Sequence, residues 1–437
     1  MHAEHAAKLR FPLADRAASQ WLAKRDDRQS NRKSSRRQFL TQAAAGSGAL
    51  GLGSLARRVE ADNASRAVVS RRESIKITKL ETFVLKNSWV FVKLSTNVGI
   101  VGWGEMLKDR SLTCAAGAKQ VEPYLLGKDP RKVVHHWQAI YRHAFYRGGP
   151  VLTAVLSGID MALWDIKGKA LGMPIYELLG GPTRDKIRVY GGKADAERGT
   201  VNAIKVGPRA DGRAAYRHVE NSGYVQRVAK NFKDLREHLG SQIDVGIDFH
   251  GIPSPQTAML LIKALEPYQP FFFEEPIACQ NVDALAELAR KTHIPIATGE
   301  RIFTKWGFRE ILEKRAASIL QPDVCYAGGI TELRLIAGMA EAYYVPLAPH
   351  NPQGPCSLAA SCQIAASIPN FLIQEGGARS YEDLLKVPFK QQDSYLPIPQ
   401  APGLGIEIDE EKLMAQVGQP RPYPHTYDRD DGSVVDW

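Results

Sequence analysis

Ile243-Asp244-Val245-Gly246-Ile247-Asp248-Phe249-His250-Gly251 is a short apolar run that ends on an acid, and the pattern returns at Phe271-Phe272-Phe273-Glu274-Glu275-Pro276. Four further apolar runs follow, at residues 294–297, 318–321, 344–348 and 371–373. Each is strand-length and bounded by turn residues. The stretches between them, 258–265, 282–292, 307–315, 331–343 and 356–368, carry apolar positions at helical spacing. Parallel strands need crossover connections, so this alternation predicts a parallel α/β sheet or barrel.

The residue standing where each strand ends narrows the choice. Asp248, Glu274, Glu300, Asp323, His350 and Glu375 are spaced by 26, 26, 23, 27 and 25 residues, one ionisable group per strand–helix unit. In a closed parallel barrel these positions converge on one rim, where barrel active sites are built. A single acid at a strand end is more often a helix N-cap or a surface residue; six ionisable groups in phase are not explained that way. Three carboxylates on successive strands make a hard, all-oxygen pocket suited to Mg²⁺, and without a cation they repel one another. His250 lies two residues after Asp248, so both side chains face the same side of an extended strand end.

The chain has 437 residues and a net charge of +10, from 57 Lys and Arg against 47 Asp and Glu. The excess sits at the front: residues 1–72 carry a net +9, and the remainder only +1. A nearly neutral folded part has no basic surface to offer nucleic acid. Ser35-Arg36-Arg37-Gln38-Phe39-Leu40, the weakly apolar run 43–56 and small residues near Ala56 and Ala61 predict a twin-arginine export signal over 1–61, hence a periplasmic or extracytoplasmic protein. The run is too short and glycine-rich to span a bilayer, so no membrane association is expected after signal removal. The 34 residues before Ser35 are long for such a signal; either translation starts downstream of Met1, and a mis-assigned leader would leave the protein cytoplasmic, or the extension is disordered. Five cysteines without a CxxC pair form no zinc or disulfide framework.

Residues 75–105 read as short strands at 75–77, 83–85, 90–94 and 99–105, and residues 115–180 as helices. Strands followed by helices predict an α+β domain over 75–185, ahead of a barrel over 186–385 and a final segment over 386–437.

With these residues in place the chain resembles the enolase superfamily, mandelate racemase subgroup. The likeness rests on Lys205, Asp248-Phe249-His250-Gly251, Phe273-Glu274-Glu275-Pro276, Gly299-Glu300-Arg301, Gln321-Pro322-Asp323, Ala348-Pro349-His350 and Gln374-Glu375. It extends through Phe145-Tyr146-Arg147-Gly148-Gly149-Pro150 and Ala162-Leu163-Trp164-Asp165 to Pro402-Gly403-Leu404-Gly405. It implies a (β/α)7β TIM-like barrel with an N-terminal α+β capping domain completed by the C-terminal segment, and assembly into a homo-oligomer. It also implies a Mg²⁺-dependent dehydratase acting on a small sugar acid, with Asp248, Glu274 and Glu300 as metal ligands. His350 resembles the base, oriented by Asp323; His250 resembles the acid that protonates the departing 3-hydroxyl. Glu375, if protonated, would donate to the developing enolate oxygen. Lys205 and Arg147 are expected near the substrate, with Trp103 and Lys108 as further cap candidates.

Members that use a lysine base carry a second lysine two residues after the first; here that position is Gly207, which disfavours a two-base racemase. Residues 191–200 can hold at most two helical turns between the first two barrel strands, with glycine limiting them further. That short stretch keeps open the alternative of a catalytically impaired sugar-acid-binding protein; another acid-sugar dehydratase of the same superfamily is a second alternative.

Overall fold

The computed structural model describes residues 69–70, 73–209, 219–376, 379–422, 427 and 431–434. The proposed export leader lies outside the described residues. The first domain is built on an antiparallel meander of β1 (Ile77–Val84), β2 (Val90–Thr96) and β3 (Val101–Met106). Residues 75–77 and 83–85, expected as separate strands, fall in and around the single strand β1. Its polar stretch Thr78-Lys79 is exposed and a bulge lies between Ile77 and Lys79, so the apolar pattern breaks where the strand does not.

Helices α1 (Ser111–Leu125), α2 (Val133–His143) and α3 (Gly149–Leu171) follow, with a single turn α4 (Ile175–Leu178) after them. Among the described residues α3 is the one helix long and apolar enough to cross a bilayer, and it is the buried core helix of this domain. It meets β3 backbone to backbone. A Cβ at Gly102 would stand 2.1 Å from the Ala162 carbonyl oxygen, and one at Gly104 would stand 1.9 Å from that of Gly158.

Barrel strand one begins at β4 (Lys186–Arg188) and is followed by α5 (Lys193–Glu197). Then come β5 (Ala203–Val206), α6 (Ser222–Leu239), β6 (Asp244–Asp248), α7 (Pro255–Leu265), β7 (Phe273–Glu274), α8 (Val282–Ala289), β8 (Ile296–Thr298), α9 (Thr304–Glu313), β9 (Ile319–Leu320), α10 (Gly329–Ala342) and α11 (Pro355–Ser367). The ladder β5-β6-β7-β8-β9 is parallel throughout. Parallel bridges Leu320 to Leu347 and Leu347 to Phe371 extend it by two strands. Gln374 to Val189 and Gly191 to Ile204 close the ring. Eight strands and seven intervening helices make a (β/α)7β barrel. The first helix has only five residues, yet the ring closes beside it.

The barrel interior is filled by side chains from seven strands: Tyr190, Ala203, Phe272, Ala297, Ile319, Ala348 and Ile373. On β6 the inward position is Gly246, whose absent side chain makes room for the Phe272 ring; an ideal Cβ there would lie 2.5 Å from it. The C-terminal segment returns through both domains. β10 (Tyr395–Pro397) pairs antiparallel with β4. Val417 bridges Leu85, and Glu410, at the start of α12 (Glu410–Gln416), pairs with Lys93 at 2.7 Å.

Buried acids of the first domain tie it to the barrel. Glu105 on β3 accepts the Gly354 N–H at 2.5 Å and the Ser357 N–H at 3.1 Å, at the N-terminus of α11. Asp160 on α3 accepts the Thr331 N–H at 2.9 Å and its hydroxyl at 2.6 Å, at the N-terminus of α10. Both helices have a glycine at the N-cap position and no capping side chain of their own, so a carboxyl group from the other domain satisfies donors that otherwise lack partners.

Burial outweighs these hydrogen bonds at Glu105 and lifts its carboxyl from the ordinary 4.5 to about 8. The folded state therefore holds a proton there that the unfolded chain releases near pH 4.5, and this contribution to stability is lost as pH rises from about 4.5 to 8. Glu105→Gln carries no such proton, although its amide mismatches one of the two N–H donors. Relative to wild type, its melting temperature is expected to be lower at pH 5 and to gain on wild type as pH approaches 8, as read by calorimetry across that range.

Candidate active site

Six strand ends deliver the site. Asp248 and Glu274 close β6 and β7, and both side chains are buried. Glu300 follows Gly299, whose φ of +146° and close approach to the Gln321 backbone leave no space for a side chain. One carboxylate oxygen from each of Asp248, Glu274 and Glu300 lies within 4.8 Å of the other two. Burial and mutual repulsion raise Glu274 well above the usual carboxylate range, and burial raises Glu300 against the pull of His350. Gln321 Nε2 donates to Glu274 Oε2 at 2.6 Å and fixes its outer oxygen.

The donor set fits Mg²⁺. All three residues offer hard carboxylate oxygens, the donor type Mg²⁺ takes, and Asp248, Glu274 and Glu300 would hold it. Part of the needed positive charge is present in Lys205. Its ammonium lies 2.6 Å from Glu274 Oε1, 3.2 Å from Asp248 Oδ2 and 3.2 Å from Glu375 Oε1. Burial alone would lower the Lys205 pKa, but these carboxylates raise it well above the lysine norm.

His350 stands at the end of the seventh strand, with Nδ1 3.0 Å from Asp323 Oδ2 and Nε2 3.1 Å from Glu300 Oε2. Burial disfavours its charged form, but Glu300, Glu375 and Asp323 outweigh that and push it up to about 10. His250 sits on the rim at φ +51°, 40% exposed, with Nε2 3.1 Å from Asp248 Oδ2. The two histidines therefore flank one carboxylate cluster.

Three expectations are corrected. Glu375 is not a protonated acid in this arrangement: although burial pushes its pKa up, Lys205, His350 and the Asn351 N–H hold it down at about 2. The proton beside it belongs to the Lys205 ammonium. Arg147 is not brought to the site. Its guanidinium bonds the carbonyls of Arg142 and Ala144, both at 3.2 Å, and lies over the Tyr141 ring. Trp103 is likewise buried in the first domain, its backbone N–H donating to Asp165 Oδ2 at 3.0 Å.

A cavity of about 480 Å³ opens beside Asp248 and Glu300 of the triad. Beyond the residues already named, Lys108 and Asp109 line it from the first domain, and Arg209, Arg301, Tyr326 and Gln353 from barrel loops. Of these, only Lys108 was expected. Arg301 directly follows Glu300, and Gln353 lies three residues after His350, so proximity to a strand end was the available signal. Arg301 is partly engaged, bonding Glu275 through Nε at 2.7 Å.

Residues 65–180 match the family model of the mandelate racemase / muconate lactonizing enzyme N-terminal domain, and residues 192–412 match that of the enolase C-terminal domain-like family. A D-galactonate dehydratase of Ralstonia nicotianae is 41% identical over 383 residues, covering 83% of this chain and all of that protein. One from Cronobacter sakazakii is 42% identical with the same coverage. An enolase from Agrobacterium radiobacter, solved with Na and L-malate, superposes with a TM-score of 0.76 at 29% identity, over 82% of this chain and 99% of that one. A further enolase-superfamily member from Salmonella Typhimurium, at 29% identity, covers 78% of this chain and 98% of its own with a TM-score of 0.73. The chain therefore belongs to the mandelate racemase/muconate lactonizing enzyme subgroup of the enolase superfamily, as an enzyme of its dehydratase branch.

Proposed function

We propose that the chain removes water from a sugar acid of the galactonate kind, taking the proton on carbon 2 and the hydroxyl on carbon 3 and releasing a 2-keto-3-deoxy acid. The observation that carries this reading is the placement of His350 and His250 on either side of one carboxylate cluster, His350 tied to Asp323 and His250 to Asp248. Asp248, Glu274 and Glu300 would hold Mg²⁺, which when bound draws electron density from the substrate carboxylate and makes the carbon-2 proton removable by a histidine.

With the Glu300 charge that now faces His350 Nε2 committed to the ion, His350 would be neutral there and accept that proton on Nε2, while Asp323 holds Nδ1–H and steadies the imidazolium that forms. The electron pair of the broken C–H bond passes into an enediolate, and the Lys205 ammonium beside Glu375 offers a fixed positive charge to it. The enediolate collapses with cleavage of the bond from carbon 3 to its hydroxyl. His250 gives its proton to that oxygen, water leaves, and the enol product ketonises. A 41% identical D-galactonate dehydratase aligned over its whole length supports the substrate class. The arginine pair Arg36-Arg37 supports export of the folded, metal-loaded chain.

The mature chain, incubated with a panel of aldonic and aldaric acids and Mg²⁺, is expected to form a 2-keto product from an aldonate, and to lose that turnover on chelation and regain it when Mg²⁺ is restored. No turnover on any acid with metal binding intact would replace this reading with that of a binding protein. His350→Asn is expected to lower exchange of the carbon-2 proton with solvent deuterium by about 10²–10⁴-fold; exchange at the wild-type rate would remove His350 as the base. Replacing Arg36 and Arg37 by lysine is expected to keep the chain in the cytoplasmic fraction, and unchanged fractionation would refute the twin-arginine route.

A further inference from the structure

Gln353 is fully buried, three residues after His350, and no step proposed above uses it. Its Nε2 lies 3.3 Å from Asp323 Oδ2, the same oxygen that His350 Nδ1 meets at 3.0 Å. Its Oε1 accepts the backbone N–H of Lys108 at 3.3 Å, on the first-domain turn that walls the cavity. The amide can stand only one way round, because a carboxylate oxygen requires the NH₂ group and a backbone N–H requires the carbonyl oxygen. The main chain of Gln353 is held as well. Its carbonyl accepts the Tyr381 hydroxyl at 3.0 Å and Arg379 Nη1 at 3.3 Å, and the next N–H, of Gly354, is bonded to Glu105.

We propose that Gln353 is a positioning residue that makes the alignment of the Asp323–His350 pair depend on the seating of the first-domain turn at Lys108. The inference rests on the assignment of His350 as base. Asp323 Oδ1 is occupied by the Cys325 N–H at 2.7 Å, so Oδ2 is the oxygen left to aim the histidine, and Gln353 is its second partner. When the turn is seated, Oε1 is engaged and Nε2 is presented to Asp323. When the turn lifts, the amide loses its anchor and the carboxylate loses a donor. Proton abstraction is thereby favoured in the walled cavity over the open one.

Two substitutions test the two ends. Gln353→Met keeps the length of the side chain and removes both hydrogen bonds. Lys108→Pro removes the backbone donor, along with the ammonium, at a position that tolerates proline: Lys108 opens a 3₁₀ turn, and Leu107 before it has φ −60° and ψ 120°, the extended conformation that a following proline imposes. Lys108→Ala controls for the lost ammonium. Steady-state kinetics and carbon-2 exchange are measured on the acid that wild type dehydrates, and amide hydrogen exchange over 107–110 is measured without substrate. Gln353→Met, against wild type, and Lys108→Pro, against Lys108→Ala, are expected to lower kcat and carbon-2 exchange together by about ten- to a hundredfold with KM little changed. Gln353→Met is also expected to lose protection of the Lys108 amide. Unchanged kcat in Gln353→Met, equal activity of Lys108→Pro and Lys108→Ala, or an undiminished Lys108 amide protection would each overturn the proposal. The amide measurement needs no substrate, so it judges Gln353 even where wild type turns over no acid, an outcome that defeats the functional reading separately.

Discussion

Like charges gathered in a buried place must be answered by charges of the other sign, and the upper half of this barrel is organised around that requirement. Asp248, Glu274, Glu300, Asp323 and Glu375 converge on one rim, and Lys205, His350 and Arg301 beside them each have carboxylate partners. Lys205 spans Asp248, Glu274 and Glu375; His350 lies between Asp323 and Glu300; Arg301 holds Glu275 just outside. The direction in which each group is driven follows from its burial and these pairings together. Glu274 and Glu375 are both enclosed and are driven in opposite directions, because repelling acids and burial dominate around the first while Lys205 and His350 dominate around the second. A divalent ion is the remaining positive charge that the triad's chemistry calls for.

The barrel was legible because two periodicities coincide in it. Apolar runs of strand length recur with helical stretches between them, and a titratable residue recurs at the end of each run. A regular chain returns to the same height every 23 to 27 residues, so the spacing itself placed Asp248, Glu274, Glu300, Asp323, His350 and Glu375 on one rim. Strand edges were less legible. The last two strands pair only through the bridges at Leu347, Phe371 and Gln374, which a reading of apolar runs cannot distinguish from longer ladders. In β1 the error ran the other way, since exposed Thr78 and Lys79 made one strand look like two.

What resisted reading depends on contacts between segments far apart in the chain. Arg147 sits in a distinctive glycine-flanked motif, but whether that loop reaches the cavity is decided by packing of the first domain, and there it folds back on Arg142 and Ala144. The proton on Glu375 could not be judged without knowing that Lys205 lies 3.2 Å away. Gln353 offers no sequence signal beyond its loop; its significance comes from two partners, one 30 residues earlier and one 245. The five-residue α5 was anticipated, whereas closure of the ring around it depends on single pairings at Gly191 and Val189.

The trans-capping of α10 and α11 bears on how this protein can be divided and inherited. Both helices open on glycine, and the acids that complete them, Glu105 and Asp160, belong to a domain encoded more than 150 residues upstream. A barrel separated from that domain would expose unfilled helix N-termini directly behind Asp323 and His350. Recombination that exchanged one domain alone would have to bring matching carboxylates with it, or re-evolve caps in place. The pair is therefore a single hereditary unit, and new substrate preferences in such a protein are more readily reached through loop substitutions than through domain shuffling.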